Sequence, residues 1–164
     1  MHDVIVVGGG PAGLSAALFT AKNDLDTVVF DTDETWMHKA HLFNYLGIDS
    51  MDGTEYVEQS REQVEEFGVE IHEQEVTSVA ETAEGFAVET EAETDAGEAA
   101  ETTAGDQTHE GTYLVLATGA DRSLAEALDC DLTDEDVVDV GVSMETSVAD
   151  AYATGAMVRA EEWQ

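Results

Sequence analysis

Three glycines near the start of the chain, Gly8, Gly10 and Gly13, have the spacing G-x-G-x-x-G within the stretch VVGGGPAGLSAAL. They follow a short β-branched strand, predicted over Asp3 to Val7, and they precede a helix predicted to begin at Pro11. In this pattern the first glycine permits a tight turn, the second lets the backbone approach a pyrophosphate, and the third lets the helix pack closely on the strand. The N–H groups and the positive dipole end of the helix would then bind phosphate.

An acidic residue stands where this pattern needs one. The second buried strand, Thr27 to Phe30, is followed directly by Asp31, at about 20 residues beyond the glycines. A carboxylate at this position accepts hydrogen bonds from ribose hydroxyls. The chain therefore predicts a dinucleotide-binding site, because the strand, the glycines, the helix, the second strand and the acid follow in the order and spacing that such a site needs. A turn that serves packing alone and binds no ligand is the less favoured interpretation.

The order of the following elements predicts an α/β fold with a parallel sheet. The first helix is expected to end at Asn23 in a left-handed conformation. A second helix over Thr54 to Phe67 carries its apolar side chains, Phe67 included, on one face and glutamates on the other. A third strand follows at Val69 to Ile71. Alternation of strands and helices favours a Rossmann-like sheet with helices on both faces.

The second half of the chain predicts shorter elements. Val76 to Thr90 alternates around Gly85, which is typical of a hairpin or a small antiparallel meander. Residues 92–109 are rich in Glu, Ala, Thr and Gly, and we expect an acidic flexible loop there. A buried strand, a short helix and two late strands complete the prediction of a single domain over residues 1–164: Thr112 to Ala117, Leu124 to Leu128, Val137 to Val140 and Ala151 to Ala153.

The net charge of −33, from 38 acidic and 5 basic residues, limits the partners and the solvent conditions that suit the protein. Nucleic acid and anionic membrane surfaces are disfavoured partners, because phosphate binding needs clusters of Lys and Arg. The 43% hydrophobic content argues against disorder. The composition is similar to that of haloarchaeal cytoplasmic proteins, whose surfaces are acidic and poor in lysine. An apolar strand begins within three residues of the first methionine, so we expect no signal peptide.

Several segments together resemble the FAD-binding domain of the thioredoxin reductase family. DVIVVGGGPAGLSAALFTAKNDL resembles the start of that domain, with Pro11 and Ala12 directly after the third consecutive glycine. FNYLG resembles a motif whose asparagine lies beside the flavin, YLVLATGA resembles a strand that ends near the dinucleotide, and METSVADAYATGA resembles the last strand of the domain. The resemblance implies these further cofactor contacts: Asn44 at the flavin, Val76 at the adenine, Thr118, Gly119, Ala120 and Gly155.

The chain also departs from that family. The family inserts an NADPH domain with a redox C-x-x-C between the two last motifs, whereas here Ala120 to Asp150 is a short connector and Cys130 is the one cysteine. The aspartate that the family places after the late glycine is Ala156 here. Gln164 falls where the family's last flavin-capping helix would begin. The resemblance therefore implies an FAD-binding oxidoreductase that takes electrons from an external donor, with a homodimer left open.

Other residues allow competing interpretations. His38 and His41 could share a helical face as metal ligands, but no third ligand is evident and we predict no metal site. Lys39 could stabilise reduced flavin, or it could lie on an exposed helix. Adjacent carboxylates raise the pKa of a thiol, so we expect Cys130 to be inert. Trp36 and Trp163 could cover a flavin or an interface, or pack elsewhere.

Two functions remain open from the sequence. The first is a flavoprotein in which the isoalloxazine performs hydride or electron transfer and the protein supplies its position and electrostatic environment. The second is a non-catalytic module that binds FAD or NAD(P) without turnover. The FAD-type motifs favour the first function, and the loss of the late carboxylate at Ala156 favours the second.

Overall fold

A computed structural model of the chain describes residues 1–91 and 107–160. Within these residues, three helices and two 3₁₀ turns, Trp36–Lys39 and Gly155–Val158, accompany the strands. The helices are α1 (Pro11–Lys22), α2 (Gly53–Glu66) and α3 (Ser123–Ala127). The strands are β1 (His2–Val7), β2 (Thr27–Asp31), β3 (His41–Leu42), β4 (Met51–Asp52), β5 (Glu70–Glu73), β6 (Val76–Thr82), β7 (Gly85–Thr90), β8 (Gln107–Leu116) and β9 (Ala151–Ala153).

Seven strands form one sheet in the order β5-β2-β1-β8-β7-β6, with β9 also paired to β8. Strands β5, β2, β1, β8 and β9 run parallel, whereas β6, β7 and the first half of β8 form an antiparallel meander. The predicted α/β fold, a Rossmann-like parallel sheet with a small meander, is confirmed. Because the parallel strands share one direction, the carboxyl ends of β1, β2, β8 and β9 meet at one edge of the sheet.

The sheet is covered on both faces by apolar side chains. On one face, helices α1 and α2 pack Leu14, Ala17 and Val64 against Val6 and Val29. On the other face, the meander and α3 cover a second cluster. Its largest buried members are Ile5, Phe30, Phe86, Leu114, Leu116 and Met157. The central parallel strands β1 and β2 are thus buried on both faces, which is why they are continuous runs of valine and isoleucine or phenylalanine in the sequence.

Two predicted element boundaries were wrong at helix ends. Asn23 has a φ of −98°, and the left-handed residue is the next one, Asp24, with a φ of 62°. The N–H groups of both residues donate to carbonyls of the last turn, so Asn23 is the C-cap and the left-handed residue comes one position later than predicted. The second helix ends at Glu66, and Phe67 is 47% exposed instead of buried, because it lies at the cap where the chain leaves the helix face.

Two further predictions were wrong in the second half of the chain. Val137 to Val140 forms no strand; Val138 makes an isolated bridge with Leu132, and its N–H donates to the Met157 carbonyl. This run is apolar because Val137 and Val138 pack into the core, not because it pairs in the sheet. The acidic loop predicted over residues 92–109 extends too far, since residues 107–109 belong to β8. Its first part, residues 92–106, lies outside the described residues.

Candidate functional site

The turn between β1 and α1 leaves no room for side chains at two of its glycines. Gly8 has a φ of 104°, and a Cβ on it would lie 2.3 Å from the carbonyl oxygen of Ala117. A Cβ on Gly13 would lie 1.8 Å from the carbonyl oxygen of Gly8. These overlaps involve backbone atoms, so they cannot be relieved by a rotamer change. The two glycines therefore hold α1 close to the ends of β1 and β8, in the way the spacing predicts.

The first turn of α1 itself carries no negatively charged side chain. Its N-cap is Gly10, which offers no side-chain hydrogen bond, and Pro11 occupies the first turn. The first turn contains no acidic residue, and the whole helix, PAGLSAALFTAK, contains none. By contrast, α2 has an Asp52 cap and Glu55 in its first turn. In a chain with 38 acidic residues, α1 thus presents unpaired N–H groups and a positive dipole end that suit a phosphate group.

Asp31 lies at the end of β2 with its carboxylate held on both sides. The side chain is 8% exposed, and Oδ1 accepts a hydrogen bond from the Gly9 N–H at 2.8 Å. A Cβ on Gly9 would lie 2.6 Å from the Asp31 carboxyl carbon, so this approach requires glycine there too. Oδ2 forms an ion pair with Arg61 Nη2. The predicted ribose-binding acid is therefore beside the glycine turn.

Arg61 was not identified from the sequence. It projects from α2 and also contacts Asp33 Oδ1 at 3.1 Å. The signal was its spacing, four residues after Val57 and three before Val64, two residues that are buried on α2. A cation in that stripe must reach the edge of the core and needs a buried acid as its partner.

The ends of β8 and β9 close the other side of the site. The Thr154 N–H donates to the Leu116 carbonyl at 3.0 Å, which aligns the two strand ends. Gly155 has a φ of 84°, and a Cβ on it would lie 3.0 Å from the Cβ of Ala12. The Thr118 hydroxyl donates to the carbonyl of Asp121 within the turn that follows β8. The structure thus brings together three predicted groups, at the glycine turn, at Asp31 and at the ends of β8 and β9.

Three other predicted contacts lie on elements around this edge. Lys39 is exposed, with its Nζ 4.7 Å from the ring centroid of Trp36, which is 75% exposed. Asn44 is exposed in the loop between β3 and β4. Val76 begins β6 and packs partly against the core. Among the described residues, no hydrogen bond or ion pair links Lys39 or Asn44 to the glycine turn, so their roles stay predictions.

The two histidines considered as metal ligands do not share a helix. His38 lies in a 3₁₀ turn with Nε2 2.9 Å from Asp33 Oδ1 and Nδ1 3.1 Å from the Thr54 hydroxyl. His41 lies in β3 with Nε2 2.9 Å from the Ser50 hydroxyl. Over residues 1–91 and 107–160, no three His, Cys, Asp or Glu side chains come together as a metal site.

Cys130 and His109, which lie outside this edge, have a shifted pKa. Burial raises the pKa of the Cys130 thiol, and the neighbouring carboxylates of Asp131 and Asp129 add to the rise, whereas a hydrogen bond with Thr146 opposes it. Burial lowers the pKa of His109, and His72 and His2 lower it further. A raised pKa makes Cys130 a poor nucleophile. Burial contributes more to this rise than the adjacent carboxylates, which were the predicted cause.

Comparison with known proteins places these features in one family. The family model described as pyridine nucleotide-disulphide oxidoreductase matches residues 2–124. A thioredoxin reductase of Listeria monocytogenes is 30% identical over 125 residues, which are 74% of this chain and 35% of that protein. A thioredoxin reductase of Mycolicibacterium smegmatis is 32% identical over 124 residues, with 73% and 35% covered. The chain thus spans about a third of the length of these curated relatives.

Solved structures show the same fold. A thioredoxin reductase from Gloeobacter violaceus superposes with a TM-score of 0.77 at 18% identity, covering 96% of this chain and 86% of that one. The thioredoxin reductase of Lactococcus lactis gives a TM-score of 0.60 at 25% identity, covering 74% and 36%. Within the described part of the chain, no helix has the length and apolar character needed to cross a membrane.

Proposed function

Because the chain belongs to the pyridine nucleotide-disulphide oxidoreductase family, we propose that it is an FAD-binding, thioredoxin reductase-like oxidoreductase domain that receives electrons from an external donor. One observation carries the proposal. The amino end of α1, which has no side-chain cap and no acidic residue in its first turn, lies beside the buried carboxylate of Asp31. This pairing offers N–H donors to a pyrophosphate and an acceptor to ribose hydroxyls at one edge of the sheet.

The residues at this edge fit a dinucleotide in an extended arrangement. The backbone from Gly8 to Gly13 would hold the pyrophosphate, and Asp31 would accept from the adenosine ribose. Val76 is proposed to contact the adenine. Residues after the ends of β8 and β9 would line the remaining length, and Lys39 and Asn44 would lie by the flavin ring. The group at the β8 and β9 ends consists of Thr118, Gly119, Ala120, Gly155 and Ala156.

FAD, when bound, would supply hydride and one-electron transfer, and the chain's own residues would bind and orient it. The connector from 121 to 150 supports an external source of electrons. It contains the single helical turn α3 and isolated bridges, with no second glycine-rich strand-to-helix turn. Cys130 is buried, and its raised pKa disfavours the thiolate that disulfide exchange requires.

A second candidate function is a dinucleotide-binding module without turnover. The residue that favours it is Ala156, because the resemblance to the thioredoxin reductase family implies a carboxylate acceptor for the cofactor at this position and alanine supplies none. With one acceptor fewer, FAD would bind more weakly, and the site would then be open to NAD(P) in its place.

The proposal is tested by adding FAD to the purified chain in molar KCl. A bound flavin gives a shifted and better resolved visible absorption band, and isothermal titration gives its affinity. Titrations with NAD and NADP run in parallel. We expect FAD to bind and the bound flavin to be reduced by an external donor such as reduced ferredoxin. Binding of NAD without binding of FAD would favour the module, and binding of none of them would contradict both functions.

A further inference from the structure

Residues 36–48, WMHKAHLFNYLGI, form an acid-free segment on the surface of a strongly acidic protein. At the chain's average of 38 acidic residues in 164, a segment of this length would contain about three. Other stretches without an acid, at residues 4–23 and 112–120, consist mainly of β1, α1 and β8, which contribute to the core. The acid-free segment is mostly exposed, so burial does not explain its composition.

Large apolar side chains are concentrated at the surface of this segment. Of the eleven that are exposed in the described part of the chain, four lie here: Trp36 at 75%, Phe43 at 73%, Tyr45 at 55% and Leu46 at 99%. Single exposed apolar residues are ordinary on protein surfaces, whereas a concentration of them marks an interaction site. Aromatic residues are also enriched in protein interfaces. The acid-free segment thus has the composition of an interface core.

The backbone of the segment is held in place although its side chains are exposed. The Gly53 N–H, at the start of α2, donates to the Ala40 carbonyl at 2.9 Å. A Cβ on Gly53 would lie 1.8 Å from the Met37 carbonyl oxygen, so the two backbones are in close contact. The Ile48 N–H donates to the Tyr45 carbonyl at 2.9 Å and closes the loop. A partner would therefore meet an ordered surface, which reduces the entropy lost on binding.

The segment adjoins the proposed cofactor site. Thr35, the N-cap of the 3₁₀ turn with which the segment begins, has its hydroxyl oxygen 3.3 Å from a Cβ built on Gly10 in the glycine turn. Lys39 and Asn44, which are proposed to lie by the flavin ring, belong to the segment itself. A partner bound to the acid-free segment would therefore lie next to that site.

Charge complementarity selects the kind of partner. A basic partner would be attracted to the acidic surface elsewhere and would gain no attraction from a segment without acids. A partner that is itself acidic would be repelled elsewhere, and the acid-free segment lets it approach. Lys39 adds a positive charge there, and it forms no ion pair among the described residues. The segment therefore suits an acidic protein with an apolar centre in its own docking face.

We propose that residues 36–48 are the docking surface for the external electron donor, an acidic one-electron carrier protein of the ferredoxin class. The inference rests on the proposed function. Two reduced donor molecules each lose one electron in turn, and the flavin takes up these two electrons together with two protons from water. Trp36, Phe43 and Leu46 occupy the desolvated centre of the contact, and Lys39 meets carboxylates of the donor at its rim.

The first experiment measures docking without electron transfer. An acidic plant-type [2Fe–2S] ferredoxin that folds in molar KCl is titrated, in its oxidised form, into the chain with and without FAD, and calorimetry gives the affinity. We expect one-to-one binding that Leu46→Ser and Phe43→Ser each weaken at least fivefold. Phe19→Ser is the matched control, since Phe19 is 60% exposed on α1 and lies outside the segment.

The three substituted side chains are exposed, so these variants should keep the fold, which circular dichroism checks. Absence of ferredoxin binding by the folded parent would overturn the proposal. Equal affinity of the parent, Leu46→Ser and Phe43→Ser would overturn it too, because the contact would then lie elsewhere.

The second experiment tests the charge of the partner's docking face. Leu46→Lys and Leu46→Glu both remove the apolar side chain and differ in charge, and we expect the lysine variant to bind the ferredoxin at least threefold more tightly. Phe19→Lys and Phe19→Glu should bind equally, since at about 1 M salt charges more than about 3 Å apart are largely screened. Equal binding by the two Leu46 variants, or the reverse order, would overturn an acidic docking face.

Other occupants of the segment give different results. A parent chain that sediments as a dimer, with Leu46→Ser a monomer, would assign the segment to a second copy of the chain. Binding to phosphatidylcholine vesicles that Leu46→Ser abolishes would assign it to a lipid surface. Either result would overturn the proposed donor.

The outcomes separate this inference from the function on which it rests. Ferredoxin binding at the segment in a chain that binds no FAD would support the docking surface and overturn the flavoprotein function. FAD binding without ferredoxin binding would overturn the docking surface and leave the flavoprotein function intact. A folded chain that binds neither would overturn both.

Discussion

Gly155, at the end of β9, lies against Ala12 in the first turn of α1, with 3.0 Å between a Cβ built on the glycine and the Cβ of the alanine. This contact places the next residue, Ala156, at the border of the uncapped helix terminus. Ala156 is only partly buried, so a larger side chain there has room towards solvent. We therefore expect the absence of a carboxylate at this position to lower the affinity of the site for a cofactor.

Ala156→Asp is expected to tighten FAD binding. A hydrogen bond to a charged acceptor is worth about 1.5–3 kcal/mol, which is roughly ten- to a hundredfold in affinity. Isothermal titration in molar KCl measures the change. Ala160→Asp adds the same charge at an exposed position near the same turn and should leave the affinity unchanged. Equal or weaker binding by Ala156→Asp would mean that residue 156 does not face the cofactor, or that the pyrophosphate repels the new carboxylate.

Alanine substitutions at two glycines of the same turn should have different effects on stability and on FAD affinity. In Gly10→Ala the new Cβ would lie 3.3 Å from the Thr35 hydroxyl, a contact that a small shift relieves, so the fold should persist while FAD affinity falls at least tenfold. In Gly13→Ala the Cβ would overlap the Gly8 carbonyl at 1.8 Å. We expect this variant to lose at least about 2 kcal/mol of unfolding free energy. Urea denaturation and FAD titration of both proteins test the contrast, and similar losses of stability in the two variants would contradict it.

The parts of this site that the sequence could predict are those with local signals. The glycine spacing, the strand before it and the acid after β2 lie within one stretch of chain, and their geometry follows from backbone sterics that apply to every such turn. Arg61 could not be placed in the same way, because its role depends on where α2 packs relative to the end of β2. That packing depends on Val64, which joins the apolar cluster on the sheet, and on the buried Val57, and it is a tertiary relationship without a sequence motif.

The same distinction explains the error at residues 107–109. The segment Gln107 to His109 is polar and adjoins an acidic stretch, so its composition is that of a loop. It forms a strand because β7 supplies hydrogen-bonding partners, with Val88 opposite His109. Pairing with a distant strand thus outweighs local propensity here.

His109 should make stability depend on pH. Its ring centroid lies 4.5 Å from that of Phe30 and 6.3 Å from that of His72, and burial followed by the charges of His72 and His2 lowers its pKa. A histidine whose pKa is lowered on folding binds more protons when unfolded. Stability is therefore lost as the pH falls below the unfolded value of about 6.5 and towards the lowered folded value.

Urea denaturation in molar KCl at pH 7.5 and at pH 5.5 tests this dependence. His109→Gln should lose less stability than the parent over that interval, because glutamine takes up no proton. His41→Gln is the matched control, since His41 is exposed and bonds only the Ser50 hydroxyl among the described residues. If the parent and His109→Gln lost equal stability, the lowered pKa of His109 would be refuted.

Cys130 should take no part in redox chemistry. The thiol is buried, and its pKa is raised mainly by that burial. Cys130→Ser should leave flavin-dependent reduction of an artificial electron acceptor unchanged, and the folded parent should react slowly with a disulfide reagent. The chain with NADPH is expected not to sustain reduction of thioredoxin, and sustained reduction would show that it contains a disulfide-reducing centre after all.

The acidic surface should make folding depend on salt. At about 1 M salt the Debye length is about 3 Å, against about 10 Å at 0.1 M, so repulsion among the surface carboxylates is screened only at high concentration. We expect cooperative folding in molar KCl and loss of structure below a few tenths molar, followed by circular dichroism during dialysis. Sucrose in place of KCl should not restore folding, because it carries no charge and does not screen the repulsion.

A charge variant shows whether repulsion is the cause. Glu58, Glu62 and Glu65 are exposed on α2, and replacing all three by lysine reduces the net negative charge by six. The salt concentration at the folding midpoint should then fall. Replacing the same three residues by aspartate keeps the charge and should not lower the salt requirement. A parent chain that is equally folded at low salt, or a lysine variant with an unchanged midpoint, would refute charge repulsion as the origin of a salt requirement.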